Sequence, residues 1–421
     1  MSLLQLRYAL RPGATCVTPG KQVILVAGAR KERLAGVQAA QIRDLRPGDP
    51  AVERLAAAGW LSITVSNDGN DLYTLRPFGT PPPQPGARGA LSKFAVMRRN
   101  GSRFVLEHPT SWCDIEIHDA AVAGQVSGLG TLLPDEVSAR LAQDLAWGGF
   151  TGDTDDFRTA SWSAHELWFH RHSNLSERVL NWESFGPTRW AEGTYPPVPA
   201  RKPVYLGAAV PLAAPDLAQL RAADPPLTAV VEDRVSVRNY DEARPLRADQ
   251  LGELLFRTAR TRELRTADGV EYLSRPHPAG GAVYELELYP IVRNVDGVGA
   301  GMYHYDSFEH VLRPVADYGP EVERLLKTSS LTLNGGQKPQ VLIVIAARTG
   351  RLMWTYEQVP YGIILRHVGI MQQSIYLAAT AMGVGAVAQG YGDTAAFTAA
   401  AGVDELEECL VGSIVVGNPA R

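Results

Sequence analysis

The run 340–347, QVLIVIAA, constrains this chain more than any other stretch. It is nearly all apolar and is bounded by Pro339 and Gly350, so it reads as a central strand buried on both faces. A strand without a polar side needs a layer above it and a layer below. The long, weakly charged helix expected at 365–382 can supply one of them. An amphipathic helix at 246–259, a strand with alternating polarity at 281–292 and a last strand at 413–417 complete a layered α+β domain over 227–421.

A length of 421 residues is too great for one core, so two or three domains are expected. In 1–79 the pattern gives a strand at 23–27 and a helix at 49–58 stopped by Gly59. A hairpin of 60–65 with 72–75 follows, turning around 67–70. That order is winged-helix-like. The prolines of 80–89 make a stiff linker. Segment 90–180 then repeats the order, with strands at 94–97, 103–106 and 115–117 and a helix at 134–145 stopped by Gly148 and Gly149. Prolines recur through 181–226, which reads as an extended connector.

Ten basic residues against six acidic ones in the first 85 raise nucleic-acid binding. The helix placed to read bases, 51–58, offers one Arg, one Glu and otherwise small apolar side chains, which suits peptide docking or a structural role better. The formal net charge of −4 also argues against a dedicated polyanion binder. Cys16, Cys113 and Cys409 are too few and too far apart for a disulfide framework or a cysteine metal site. His165, His170 and His172 lack the i, i+4 spacing of a zinc pair, so no metal is expected. With no export signal and no apolar run of membrane-spanning length, a cytoplasmic location is expected.

Three stretches carry chemistry. Arg234-x-Ser236-x-Arg238 sets two forked cations and a hydroxyl within reach of one anion, and Arg pairs with phosphate bidentately. Pro278, Ala279, Gly280 and Gly281, and later Gly383-x-Gly385, let backbone amides approach a flat ligand. Neither has the strand–GxGxxG–helix context of a dinucleotide fold, and neither has a P-loop lysine. Each alone reads as ordinary turn glycines.

Taken in order, these motifs resemble those of the nitroreductase-fold dehydrogenases that oxidise azolines to azoles in ribosomally made peptides. The motifs are Arg234-x-Ser236-x-Arg238, the turn from Arg275 to Gly281 with its following strand, the strand 301–305, and Arg351 to Tyr356 running on to Gln373 and Gly383. The cyanobactin and thiopeptide oxidases, which carry winged-helix-like units ahead of the flavin domain, are the nearest subgroup. The resemblance implies an antiparallel-rich mixed sheet flanked by helices and FMN bound at a homodimer interface. It further implies a precursor peptide bearing azolines as substrate and the cyclodehydratase of the same pathway as partner, without nucleic acid or membrane.

By position, it assigns Arg234, Ser236 and Arg238 to the FMN phosphate and ribityl chain, and Pro278, Ala279, Gly280 and Gly281 to the ring system. Gln373, Gly385, Gln389 and Gly390 complete the pocket, and Tyr356 is the proton-transfer residue. Two positions depart from the family: Thr355 stands where a lysine is common, and Ala279 where serine is. Arg351 or Arg366 could supply the missing cation, the ring proton could be acidic enough unaided, or the chemistry could differ. The alternatives are a flavin oxidoreductase acting on a carrier-bound or small-molecule substrate, and a non-catalytic flavin-fold scaffold binding the precursor peptide or cyclodehydratase.

Overall fold

A computed structural model of the chain describes residues 4–420 apart from 21, 29, 84–85, 87, 131–132, 153–156, 175–177 and 179–184. The chain divides into two compact units, Met1–Leu180 and Asn181–Arg421. No helix among the described residues is long and apolar enough to cross a membrane.

The first unit is β-rich. Six strands form one sheet in the order Leu4–Leu10, Leu61–Asn67, Asn70–Pro77, Cys113–Ile117, Arg103–Glu107, Val96–Asn100. The strands expected in two separate copies therefore share a sheet. Asn70–Pro77 pairs antiparallel with Cys113–Ile117, Tyr73 opposite Ile117, and the intervening segment leaves the sheet and returns to it. One apolar core, from Val23 through Trp60 and Leu106 to Phe150, serves both halves. The helix Pro50–Ala57 starts where the Asp49 carboxylate accepts the Ala51 N–H. It ends at Gly59, whose φ of +73° and 2.3 Å approach of a built Cβ to the Gly79 carbonyl exclude any other residue.

The second unit is a seven-stranded sheet between two helical layers. Its order is Val210–Pro211, Val311–Asp317, Gly301–Asp306, Leu286–Val292, Val341–Arg348, Glu408–Gly417, Gly385–Gln389, and every pairing is antiparallel where a mixed sheet was expected. The apolar run is the strand Val341–Arg348, buried along its whole length. Ile343 and Ile345 meet the helices Ala248–Ala259 and Pro360–Ala381 on one face. Leu342 and Val344 meet Pro320–Ser330 and Thr394–Ala401 on the other.

One expectation needs correction here. The strand expected at 281–292 begins only at Leu286, because Gly281, Ala282 and Tyr284 all have left-handed φ angles of +59°, +57° and +51°, which no strand accommodates. Its two glutamates, Glu285 and Glu287, are buried. Glu287 is buried against His304 at 3.0 Å and Arg348 at 3.6 Å, and against the cost of burial the His304 hydrogen bond and the nearby Arg275 and Arg348 guanidiniums hold its carboxyl down at about 2.

The stretch expected as a connector is a strap on the second unit. Thr188 N–H donates to the Trp354 carbonyl and Trp354 Nε1–H to the Tyr195 carbonyl, both at 2.9 Å. Arg351 and Arg348 donate to the carbonyls of Val198 and Ala200 at 2.6 and 3.0 Å. Lys202 Nζ lies 2.6 Å from Glu408, and Val210 pairs with Leu312. Backbone carbonyls that would otherwise need water are thus capped by buried side chains of the domain.

Candidate functional site

The helix Leu227–Asp233 ends at Arg234, where the chain becomes extended. Val237 N–H donates to the Ala386 carbonyl at 2.9 Å, laying this segment against Gly385–Gln389. Ser236 Oγ is 3.0 Å from Tyr376 Oη, which also accepts the Ala388 N–H at 2.7 Å. The Arg234 guanidinium lies over the Tyr376 ring, 5.3 Å from its centroid, and Arg238 is exposed, reaching only the Ser236 carbonyl at 3.5 Å. Among the described residues neither arginine pairs with a carboxylate. Two uncompensated guanidiniums beside a hydroxyl form a set suited to a phosphate-bearing group. Tyr376, which organises the set, escaped the sequence reading; it is one of two tyrosines on an otherwise largely apolar helix, and only the fold brings Ser236 to it.

The other residues expected around this end divide. Gln373 is exposed one helical turn before Tyr376, on the same side of the helix. Gly385 is needed for packing, since a Cβ there would lie 2.8 Å from Val237. Gln389 is buried with its amide fully engaged. It donates to Ser329 and Thr332 at 2.7 to 2.8 Å and accepts from Ser413 at 3.0 Å, so it braces the sheet and offers no free group to a ligand. Gly390 is exposed with open space around it.

Pro278, Ala279, Gly280 and Gly281 lie elsewhere along the same long helix. Gly280 N–H donates to His367 Nε2 at 2.8 Å, and His367 Nδ1 lies 2.7 Å from Glu285 Oε1. His367 and Tyr376 are nine residues apart, about 14 Å along the helix axis, so the expected site residues form two clusters at two points on one helix. Tyr356, at the end of the helix Thr349–Thr355, belongs to the second cluster. A Cβ built on Gly281 would lie 2.8 Å from Tyr356 Oη and 2.2 Å from the Phe185 ring. Phe185 meets Tyr356 edge-on at 5.8 Å and stacks on Tyr272 at 6.1 Å. Phe185 and Tyr272 line a groove of about 620 Å³ walled by the strap, from Phe185 to Pro197, by the hairpin Arg265–Tyr272 and by Trp354.

Burial, and secondarily Tyr272, pushes the Tyr356 phenol above its ordinary value. Among the described residues no cation offsets that. Thr355 is buried with its hydroxyl on the Arg351 carbonyl. Arg351 donates to the carbonyls of Val283, Val198 and Glu271, and burial, with Arg348 nearby, lowers it to about 10. Arg366 is exposed and is not among the groups acting on the phenol. Tyr356 is therefore a protonated phenol near neutrality, able to donate a hydrogen bond and poor as a base.

Residues 231–418 match the model described as the Nitroreductase family, so the second unit carries a nitroreductase-family domain. MJ1384 of Methanocaldococcus jannaschii, whose name places it among the nitroreductases, is 29% identical over 185 residues, covering 44% of this chain and 86% of that protein. The Microcin B17-processing protein McbC of Escherichia coli is 30% identical over 132 residues, covering 28% of this chain and 46% of McbC, so the match spans about half of McbC's length. The solved E. coli microcin synthetase McbBCD complex with truncated pro-MccB17 bound contains a chain 19% identical, with a TM-score of 0.38 over 51% of this chain and 89% of that one.

Proposed function

We propose that this chain is an FMN-dependent dehydrogenase that oxidises thiazolines or oxazolines to azoles in a ribosomally made peptide. The observation that carries the reading is a nitroreductase-family domain with uncompensated arginines at one point of its long helix and a phenol against a glycine turn at another. The similarity to a peptide-processing protein supports a peptide as substrate. The groove beside Tyr356 supports it independently, since about 620 Å³ exceeds what a five-membered ring needs and leaves room for flanking residues.

Arg234, Ser236 and Arg238 would hold the phosphate and ribityl chain, with Tyr376 fixing Ser236 and stacking under Arg234. Gln373, one turn away, would reach the same tail. Pro278, Ala279, Gly280 and Gly281 would line the ring. Bound FMN would supply the two-electron acceptor that no side chain can provide. Tyr356 would face the reacting ring and handle its proton at Oη, while Phe185 and Tyr272 exclude water from that face. The first unit would dock the peptide or its cyclodehydratase as a pair of winged-helix-like elements, and the domain would work as a homodimer.

Anaerobic visible spectroscopy with a thiazoline-bearing peptide tests the reading. A bound flavin band that bleaches on peptide addition supports it. A flavin-bound protein that no such peptide bleaches removes the azoline substrate, and the raised phenol beside Thr355 then favours the scaffold reading. A protein that cannot be loaded with FMN removes the cofactor.

A further inference from the structure

Glu285 is fully buried and His367 is 4% exposed, and they meet in the layer between the central sheet and the long helix. A backbone N–H can only donate, so the Gly280 contact at 2.8 Å requires a lone pair on His367 Nε2. The ring proton therefore sits on Nδ1 and points at Glu285 Oε1, 2.7 Å away. The carboxylate sets the tautomer, and the tautomer provides the acceptor.

This arrangement is costly. Glu285 Oε2 has no hydrogen-bond partner among the described residues, and two apolar side chains of similar size would fill the space without that penalty. The loop it holds is also strained. Six non-glycine residues of the described chain have positive φ, and two of them, Ala282 and Tyr284, follow Gly281, itself at +59°. Three left-handed residues within four positions need a fixed anchor to persist. Among the described residues, side chains hold the backbone of this turn at two points, His367 on the Gly280 N–H and Arg351 on the Val283 carbonyl at 2.6 and 3.0 Å, and of these only His367 reaches the glycines.

We propose that Glu285 and His367 are positioning residues, a latch that fixes the 278–281 turn against Tyr356 and against the bound cofactor. The proposal rests on the flavin reading for what the turn faces, although the latch itself does not. The path is short: Glu285 orients His367, His367 holds Gly280, and Gly281 is the surface that Tyr356 Oη touches. Neither latch residue contacts the reacting ring.

The test compares the full-length protein with His367→Gln, His367→Asn and His367→Leu. Glutamine can set its amide oxygen where Nε2 stands and keep the acceptor for Gly280. Asparagine is too short to reach, and leucine has no acceptor. Hydrogen exchange over 276–283 and the dissociation constant for FMN, read by quenching of free FMN fluorescence, are measured beside the melting temperature. The latch predicts wild-type-like exchange for His367→Gln. It predicts exchange about tenfold faster for His367→Asn and His367→Leu, with FMN affinity falling about fivefold or more. His367→Asn carries the comparison if His367→Leu does not fold. Equal exchange and affinity in all four proteins would overturn the proposal, as would damage to His367→Gln as great as to His367→Asn. A wild-type protein that binds no FMN would sink the flavin reading, and the exchange ranking would still decide the latch.

Discussion

Tyr356 Oη lies 2.8 Å from the point a Cβ on Gly281 would occupy, so the candidate catalytic phenol and the glycine turn are in direct van der Waals register. Gly281→Ala would force the phenol and Phe185 to move while placing alanine at φ +59°, a cost of about 1–2 kcal/mol. Turnover of a thiazoline peptide should fall more than tenfold in Gly281→Ala, because small misplacements near the reacting groups are expensive. Gly280→Ala is the control: its Cβ meets only ordinary contacts at 3.4 to 3.5 Å, and it should stay within about threefold of wild type.

The pH dependence of turnover separates two roles for Tyr356. Burial raises its pKa above 10, so the phenolate fraction at neutral pH is small and grows with alkalinity. If Oη receives the ring proton, kcat should rise about tenfold per pH unit between 7 and 9, without a plateau, since the group titrates above that window. Tyr356→Phe should flatten the slope, lower kcat about 100-fold and leave flavin content unchanged. A flat wild-type profile would remove Tyr356 from proton transfer.

Arg238→Ala should weaken FMN binding about 10- to 150-fold, the range for losing one charge-assisted contact, with Arg238→Lys in between because a point charge replaces a fork. Tyr376→Phe should weaken FMN binding less, but it should also lower stability by about 1–3 kcal/mol, since Ala388 N–H loses its acceptor. Equilibrium titration of the apo-proteins with FMN, alongside urea unfolding, checks both.

Lys202 and Glu408 pair at 2.6 Å with side chains 10% and 7% exposed, and both reach the Tyr289 hydroxyl. Lys202→Met strands a buried carboxylate and should cost about 3–5 kcal/mol of stability. The double variant Lys202→Met/Glu408→Leu should recover most of that loss in denaturant unfolding. If the single and double variants unfold alike, the strap is not held by this pair.

Local pattern carried much of the second unit. An apolar run bounded by Pro339 and Gly350 has few solutions other than a buried central strand, and the weakly charged helix after it has few places except over that strand. The same logic failed at 281–292, where alternation was read as a strand from its first residue although Gly281, Ala282 and Tyr284 are left-handed. Glu285 and Glu287 are buried polar groups whose partners, His367 and His304, lie 82 and 17 residues away. Periodicity reports which residues share a face; it cannot report what covers that face.

The site divides in the same way. Arg234, Ser236 and Arg238 could be singled out as candidates because they are close in sequence and their chemistry is local. Gln389 was harder to read, because an amide beside glycines looks alike in sequence whether it meets a ligand or, as its amide does here, Ser329, Thr332 and Ser413. Tyr376, His367 and Phe185 had no local signal. The sequence by itself determined the layered α+β domain, its buried strand and helix, and the cationic segment, all of which follow from burial and charge along the chain. Only the tertiary structure decided that one sheet joins both halves of the first unit and that the connector is a strap. It alone decided that a glutamate and a histidine 82 residues apart lock the glycine turn, because the free energy of a buried polar group depends on partners that folding, not proximity in sequence, brings within 3 Å.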